Sequence, residues 1–522
     1  MQSFLRVHEA KIKGVLSGFD RVRFLGTFRV LSAIPGLFTW MNEQHVLLKE
    51  FKSFSLGLTD KLRQSVESVA AAAGRSIRYL ASSALSKEEL VQELLRRENI
   101  KEGLVCVLSC VEPCRSFEIR RDPVKKHIDL SSALRKCLHW YLYFQHPLWG
   151  LCHVRIQSWL PFAVHICING REWLCRELEA EGIGFQRRDN CLIGVADQTR
   201  AQQLLEAQPW ANWSHLLQTL LRQACPALCQ MTMRGVPLRH YWSAAETEWA
   251  TDVMFRSPSD LAELYPTLIR HGISTFSSPD VMRFLGRRNF GENGGVPQTF
   301  EGEIVSNIKH RPEGVRIKHR MNANSIKMYD KQGSVLRVET TINNTRDFLV
   351  HRASETDPQG PKKLRILRKG VVDLPRRANV SQAANQRYLE SLAAVDAPIP
   401  LSQTIERLAQ PIKRDDGRAR GLHPLTGMDA TLVEHMLRGE FAINGFRNRD
   451  LRNLLFSNGT EQENRRHSAQ VGRLIRIFRL HGLIRRIKGT HRYHLSAEGR
   501  RILPTLHTVR HTNTEKLRQL AT

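Results

Sequence analysis

Tyr329 and Glu339 are the residues of this sequence whose types and surroundings best suit chemistry on a phosphodiester. A phenol can attack phosphorus and hold the strand covalently, and a carboxylate can hold a divalent ion beside it. Both stand among Arg316, Lys318, Arg320, Lys327, Lys331 and Arg337. The residue types leave two other readings open. The cations could hold phosphates without any reaction, or they could form a solvated sheet face with Glu339 as counter-ion and Tyr329 as packing.

The elements that must position these groups follow from the alternation. From Gly314 to Asn343, Val315, Ile317, His319 and Met321 alternate with Arg316, Lys318 and Arg320. Ile326 and Met328 alternate with Lys327, Tyr329 and Lys331, and Leu336, Val338, Thr340 and Ile342 with Arg337, Glu339 and Thr341. Period-two patterning between turn residues predicts three antiparallel strands. Parity then fixes the register, because opposed residues share a face. Pairing Arg320 with Ser325 and Lys331 with Val335 places Arg316, Tyr329 and Arg337 in one row, and Lys318, Lys327 and Glu339 in the next. Like charges in opposition are destabilising, so this face calls for an anion.

The string Lys327-Met328-Tyr329-Asp330-Lys331, followed by Leu336-Arg337-Val338-Glu339, resembles the "YDK … R-x-E" strands of plasmid rolling-circle replication initiators. The resemblance implies a tyrosine that attacks DNA and a carboxylate that binds Mg²⁺ or Mn²⁺. The sequence departs from an HUH pair at His153-Val154-Arg155, where Arg stands in place of the second His. The whole chain is also similar to a family of basic bacterial proteins of unassigned function.

A second set of elements lies towards the C-terminus. Thr431 to Leu437 reads as a helix, Asn448 as the cap of another, and a long helix runs to Leu480. Leu483–Ile487 and His491–Leu495 read as a hairpin, and Ser496 caps a last helix. This order resembles the winged helix-turn-helix of bacterial regulators. The resemblance implies that the third helix enters the major groove of DNA. Asn464, Arg465, Arg466, Ser468, Gln470 and Arg473 would then read bases and phosphates, and Lys488, Thr490, His491 and Arg492 would form the wing. A winged helix used for protein contact is the alternative.

Charge agrees with a polyanionic partner. The 522 residues carry 78 Lys and Arg against 51 Asp and Glu, a net charge of +27. Residues 441–522 hold 17 of those cations and only 5 acids. Nucleic acid is the expected partner, DNA before RNA, and no membrane is expected. Arg6, His8, Glu9, Lys11 and Lys13 interrupt any signal-peptide core, and a cytoplasmic location is expected. The ten cysteines, from Cys106 to Cys229, read as reduced thiols, with a metal site at the four-residue spacing of Cys106, Cys110 and Cys114, repeated by Cys225 and Cys229, as the alternative. His153, Arg155, Gln157 and Trp159, near Trp140, Tyr141 and Tyr143, suit either base stacking or a core. Asp189 and Asp197 are further candidate nuclease carboxylates. No P-loop, dinucleotide fingerprint, zincin or serine-hydrolase motif is present.

The expected fold class is α+β and multidomain. A helical region spans 1–103, a mixed α/β domain 104–288 with a helix at Ser131–Phe144 and a return to helix over 208–288, and a basic antiparallel sheet 298–351. A linker and helical connector follow over 352–424 and a winged helix over 425–522, with linkers also expected at 289–297, 352–363 and 411–424. The function expected is nucleic-acid binding in replication, regulation or a mobile element. A metal-dependent nicking initiator or transposase-like enzyme, and an RNA-binding protein, are the alternatives.

Overall fold

Ile12–Phe28 is a strand of 17 residues, which corrects the expectation of helix throughout the first hundred. Gly14, Gly18 and Gly26 weaken a helix there, and Val22 and Phe24 alternate with Arg21 and Arg23. The computed structural model describes residues 1–82, 84–122, 127–287, 296, 300–311, 314–393, 401–414, 417–441, 445–456, 459–487 and 489–513. The fold is mixed α+β, and the chain divides into two compact units. The first comprises Met1–Pro266, Val281–Arg287 and Gly302–Ala393.

Eleven strands of the first unit form one sheet. They are β1 (Ile12–Phe28), β2 (Ile77–Leu80), β3 (Gly103–Asp122), β4 (His127–His146), β5 (Gly150–Gln157), β6 (Val164–Asn169), β7 (His240–Phe255), β8 (Ile304–Arg311), β9 (Gly314–Met321), β10 (Asn324–Lys331) and β11 (Val335–Ile342). The order is β8-β9-β10-β11-β7-β1-β6-β5-β4-β3-β2, antiparallel except where β2 runs parallel to β3. The basic meander is therefore not a sheet of its own but one flank of a larger one. Its register is the one parity demands, with Arg316 opposite Tyr329, Tyr329 opposite Arg337, and Lys327 between Lys318 and Glu339.

Two further helical expectations fail. Ser131–Phe144 lies inside β4, where Trp140, Leu142 and Phe144 face one core while Tyr141 and Tyr143 face the other side. Residues 208–288 contain β7, which occupies the middle of the sheet. Pairing with long neighbours overrides local propensity in both.

Both faces of the sheet are partly covered. α1 (Phe51–Ala72), α5 (Trp213–Ala224) and α6 (Leu374–Leu392) pack on one, with Phe24, Trp140, Trp242 and Trp249 in the core between. α6 falls in the expected connector, yet it belongs to this unit. α2 (Lys87–Glu98), α3 (Gly170–Ala180) and α4 (Gln198–Ala207) cover parts of the other face. Residues 352–363 close a hairpin between Leu349–Arg352 and Lys363–Ile366 rather than acting as a free linker. Within 411–424, Ile412–Arg414 pairs with Gly417–Ala419. Of 289–297, all but Val296 lies outside the described residues.

The second unit comprises Thr267–Asp280, Arg288–Glu301 and Ala394–Thr522. Its helices α7 (Gly427–Met436), α8 (Asn448–Leu455), α9 (Glu461–Leu480) and α10 (Ala497–His511) surround Leu451, Val471, Phe478 and Leu503. β12 (Phe446–Arg447), β13 (Ile484–Arg486) and β14 (Arg492–Leu495) form a small sheet in the order β12-β14-β13. Thr460 caps α9 and Ser496 caps α10. Among the described residues, no helix is long and apolar enough to cross a membrane.

Candidate active site

Asp20 sits at a bulge. β1 pairs Phe19 with Trp249 and then Arg21 with Glu248, so Asp20 has no partner across the ladder. A bulge re-aims the side chain it carries. On the neighbouring strands Glu339 lies opposite the small Ala250, two residues along β7 from Glu248. Carboxylate oxygens of Asp20, Glu248 and Glu339, from three adjacent strands, all lie within 4.8 Å of one another. Tyr329 Oη donates to Glu339 Oε2 at 2.8 Å. Lys327 Nζ donates to Glu339 Oε1 at 2.6 Å and to Glu248 at 3.3 Å.

The surrounding charges interlock. Arg337 makes a bidentate pair with Asp252 at 2.6 and 2.9 Å and reaches Asp20 at 3.1 Å. Arg171, at the start of α3, lies 3.1 Å from Asp252, and Arg21 lies 3.1 Å from Glu248. Asn169 caps α3. A Cβ at Gly170 would stand 2.2 Å from the Phe19 carbonyl, so only glycine lets α3 begin this close to β1. The four carboxylates of Asp20, Glu248, Asp252 and Glu339 thus face the four cations Arg21, Arg171, Lys327 and Arg337.

Environment separates the carboxylates. Burial raises Asp20, Arg337 opposes it, and Glu339 adds to the rise. Burial and the charge of Glu339 raise Glu248. Burial would also raise Glu339, but Lys327, Arg337 and the Tyr329 hydroxyl outweigh it and hold that carboxyl below its ordinary range. Burial and the Glu339 charge push the Tyr329 phenol well above its usual value, so the resting phenol is neutral.

The site opens into a cleft of about 530 Å³. The sheet forms its floor, Glu88 and Gln92 of α2 one wall, and Glu172 with Asp189 another. Behind the floor, Asn385 of α6 bonds Trp249, Thr251, Val338 and Thr340, which locks β7 to β11.

Several expected site residues have other work. For Arg320, Lys327, Lys331 and Arg337 the anions that the basic face calls for are the protein's own. Arg337 is fully enclosed and Lys331 is held by Asp189 at 2.7 Å. Arg320 pairs with Glu303. Arg316 and Lys318 make no ion pair among the described residues. Asp197 caps α4. Arg155 and Tyr141 both bond Glu112, and Trp140 is core. All ten cysteines are free, and none belongs to the metal-type cluster found among the described residues. On α9, Arg465 pairs with Glu461, Asn464 bonds the Gly459 carbonyl, and Ser468 bonds Asn448. Asn448 therefore braces α9 rather than capping α8. Arg466, Gln470 and Arg473 make no side-chain hydrogen bond or ion pair among the described residues, and Arg466 and Arg473 are exposed. Thr490 bonds the Ile487 carbonyl and Arg492 the Gly445 carbonyl, while His491 is exposed. Lys488 lies outside the described residues.

Asp20 and Glu248 escaped the sequence reading because their segments were expected to be helical. The signal is there, in Thr247, Trp249 and Thr251 alternating with Glu246, Glu248 and Asp252. No family model, no curated protein and no solved structure matches this chain.

Proposed function

We propose that the chain is a metal-dependent enzyme that breaks a nucleic-acid strand through Tyr329, with DNA as the favoured substrate. The observation that carries this reading is a phenol hydrogen-bonded to one of three carboxylates that converge from separate strands. Asp20, Glu248 and Glu339 offer hard oxygen donors, the set that suits Mg²⁺ or Mn²⁺. A divalent ion held there adds positive charge beside the phenol and so favours its ionised form.

The chain's own groups supply the rest. Glu339 orients the Tyr329 hydroxyl and accepts its proton. The phenolate oxygen bonds to phosphorus, the bond from phosphorus to the 3′-oxygen breaks, and that oxygen leaves as a hydroxyl after taking a proton from solvent. The product is a 5′-phosphotyrosine. α6 holds the sheet rigid behind these groups. The α7–α10 unit, with β13 and β14 as wing, supports the reading of a winged helix-turn-helix that holds duplex DNA, with Arg466, Gln470 and Arg473 as its readers.

A second reading is a binder without chemistry. It is favoured by the charge balance of the cluster and by the Lys327 ammonium lying on two of its three carboxylates. Incubating the full chain with Mg²⁺ or Mn²⁺ and supercoiled or single-stranded DNA separates the two. A covalent adduct on Tyr329, absent from Tyr329→Phe, supports the enzyme. No adduct on any substrate supports the binder.

A further inference from the structure

β7 outruns its neighbour. β11 pairs with it only over Thr247–Met254, so the stretch from His240 has β1 on one side and, among the described residues, only the bridge of Ser243 to Gly370 on the other. A cavity of about 890 Å³ lies at this end. Its walls come from α5, from Arg29 after the end of β1, from residues 237–242, and from residues 368–372.

The chemistry of the lining is aromatic and cationic. The Arg29 guanidinium lies 4.0 Å from the ring centroid of Tyr241, a cation–π stack at the surface. A Cβ at Gly370 would stand 2.8 Å from the Tyr241 hydroxyl, so the absence of a side chain there leaves room for this ring. Arg222 and Arg239 are exposed, and neither they nor Arg29 has an acidic partner among the described residues. Arg368 is the cation already in use, at 3.2 Å from Asp373 and 3.3 Å from Glu355. Deeper in the lining, Trp242 Nε1 and both ring nitrogens of His240 have no hydrogen-bond partner among the described residues. Burial lowers His240 to about 4, so its ring is neutral and adds nothing to the charge.

We infer that this cavity is a nucleotide-binding site, in which Tyr241 and Arg29 stack the base and Arg222 and Arg239 take the phosphate. Three cations without acids attract an anion, and a surface aromatic capped by guanidinium gives a flat platform that any base can use. A sugar or a simple acid would use the charges but not the platform. The site needs no metal and no reaction at Tyr329, so it stands or falls apart from the proposed enzyme. Tyr241 and Glu248 lie on one strand, seven residues apart, at about 3.3 Å per residue. A bound strand would therefore span on the order of 20 Å to reach both.

The shared ligand chemistry is a phosphorylated nucleoside, free or within a strand. The test uses the full chain in EDTA, which removes metal-dependent events. Fluorescent oligothymidylate and, separately, a fluorescent ATP analogue are titrated into wild type and into a Tyr241→Leu, Arg29→Gln double variant. The expected result is an affinity lower by about ten- to a hundredfold in the variant, the range set by one lost stacking contact with its cation. Loss for oligothymidylate identifies a strand as the source, and loss only for the analogue identifies a free nucleotide. In parallel, an oligonucleotide bearing 4-thiothymidine is crosslinked and the adduct mapped by mass spectrometry, with Tyr241 or its cavity neighbours expected. A Tyr241→Phe variant that keeps wild-type affinity shows that the ring face acts, not the hydroxyl. Equal affinity of wild type and double variant for both probes, with crosslinks mapping elsewhere, overturns the assignment.

Discussion

Tyr329 and Glu339 sit on adjacent strands two residues out of register, and the 2.8 Å bond between them crosses that diagonal. Their direct partners are Arg337 and Lys327, so each acid or phenol is flanked by a cation. Tyr329→Phe leaves one oxygen of a buried carboxylate without its donor. We expect a loss of about 1–2 kcal/mol in denaturant unfolding, unchanged DNA affinity, and no covalent adduct. A variant that still forms the adduct removes Tyr329 from the reaction.

In the proposed enzyme, Lys327 would compete with a metal. Its ammonium satisfies Glu339 and Glu248 together, and both carboxylates raise its own pKa above the ordinary lysine value against the effect of burial. Lys327→Met leaves the cluster one cation short. Mn²⁺ followed by electron paramagnetic resonance should bind this variant at least about tenfold more tightly than wild type, since an excess carboxylate favours a divalent ion. Affinity should also rise with pH in wild type, because Asp20 and Glu248 are raised and must lose protons before they ligate. Equal, pH-independent affinities would show that the three acids hold no metal.

The order of the meander strands was legible and their purpose was not. Parity alone placed Lys327 between Lys318 and Glu339, because a one-residue slip would turn Ile326 and Met328 to the wrong face. What parity cannot show is the neighbour beyond β11. Asp252 and Asp20, which neutralise Arg337, come from strands far away in sequence. A charge-rich strand looks like a ligand surface until the opposing strand is known. Asp197, weighed as a nuclease carboxylate, instead caps α4 through a local bond, as Asn169 caps α3. β1, β4 and β7 were not legible, because long-range pairing decides their conformation.

Arg337 is therefore structural. It is fully buried and shared by Asp252 and Asp20. Arg337→Met should destabilise the first unit by about 3–5 kcal/mol, since it leaves buried acids without their cation. Adding Asp252→Leu should recover part of that loss. A double variant no more stable than the single one would mean that Asp252 is neutralised by Arg171 alone.

The salt dependence of binding follows from which cations are spare. Arg320, Lys327, Lys331 and Arg337 have acidic partners, and Arg316 and Lys318 have none among the described residues. Burial lowers Lys318, and Lys327, Arg316, Arg320 and Lys309 lower it further, so an anion here relieves real repulsion. Arg316→Gln with Lys318→Gln should reduce the slope of log K against log salt by about 1.4–1.8 units, from about 0.7–0.9 per phosphate. Lys327→Gln should leave the slope nearly unchanged. An effect of Lys327 as large as that of Lys318 would put it on phosphate instead of on Glu339.

Acid should unfold the first unit through its histidines. His139, His153 and His165 occupy β4, β5 and β6, and burial lowers them to about 4, 4 and 3, with Arg155 adding to each. In the unfolded chain each titrates near 6.5. Between those values the unfolded state binds more protons than the folded state, so stability rises with pH there. It is complete above about 6.5 and is lost as pH falls towards 4. Asp20 and Glu248 act in the opposite sense, because their raised values let the folded state hold protons that the unfolded state releases. A total slope mixes the two effects, and a comparison separates them. His165→Gln changes the histidine contribution and leaves the carboxylates alone. Urea unfolding of wild type and variant from pH 7.5 to 4.5 should show the variant with a shallower dependence, by about one proton between pH 6 and 5. Parallel curves would mean that His165 is protonated in the folded protein and that Arg155 does not hold it neutral.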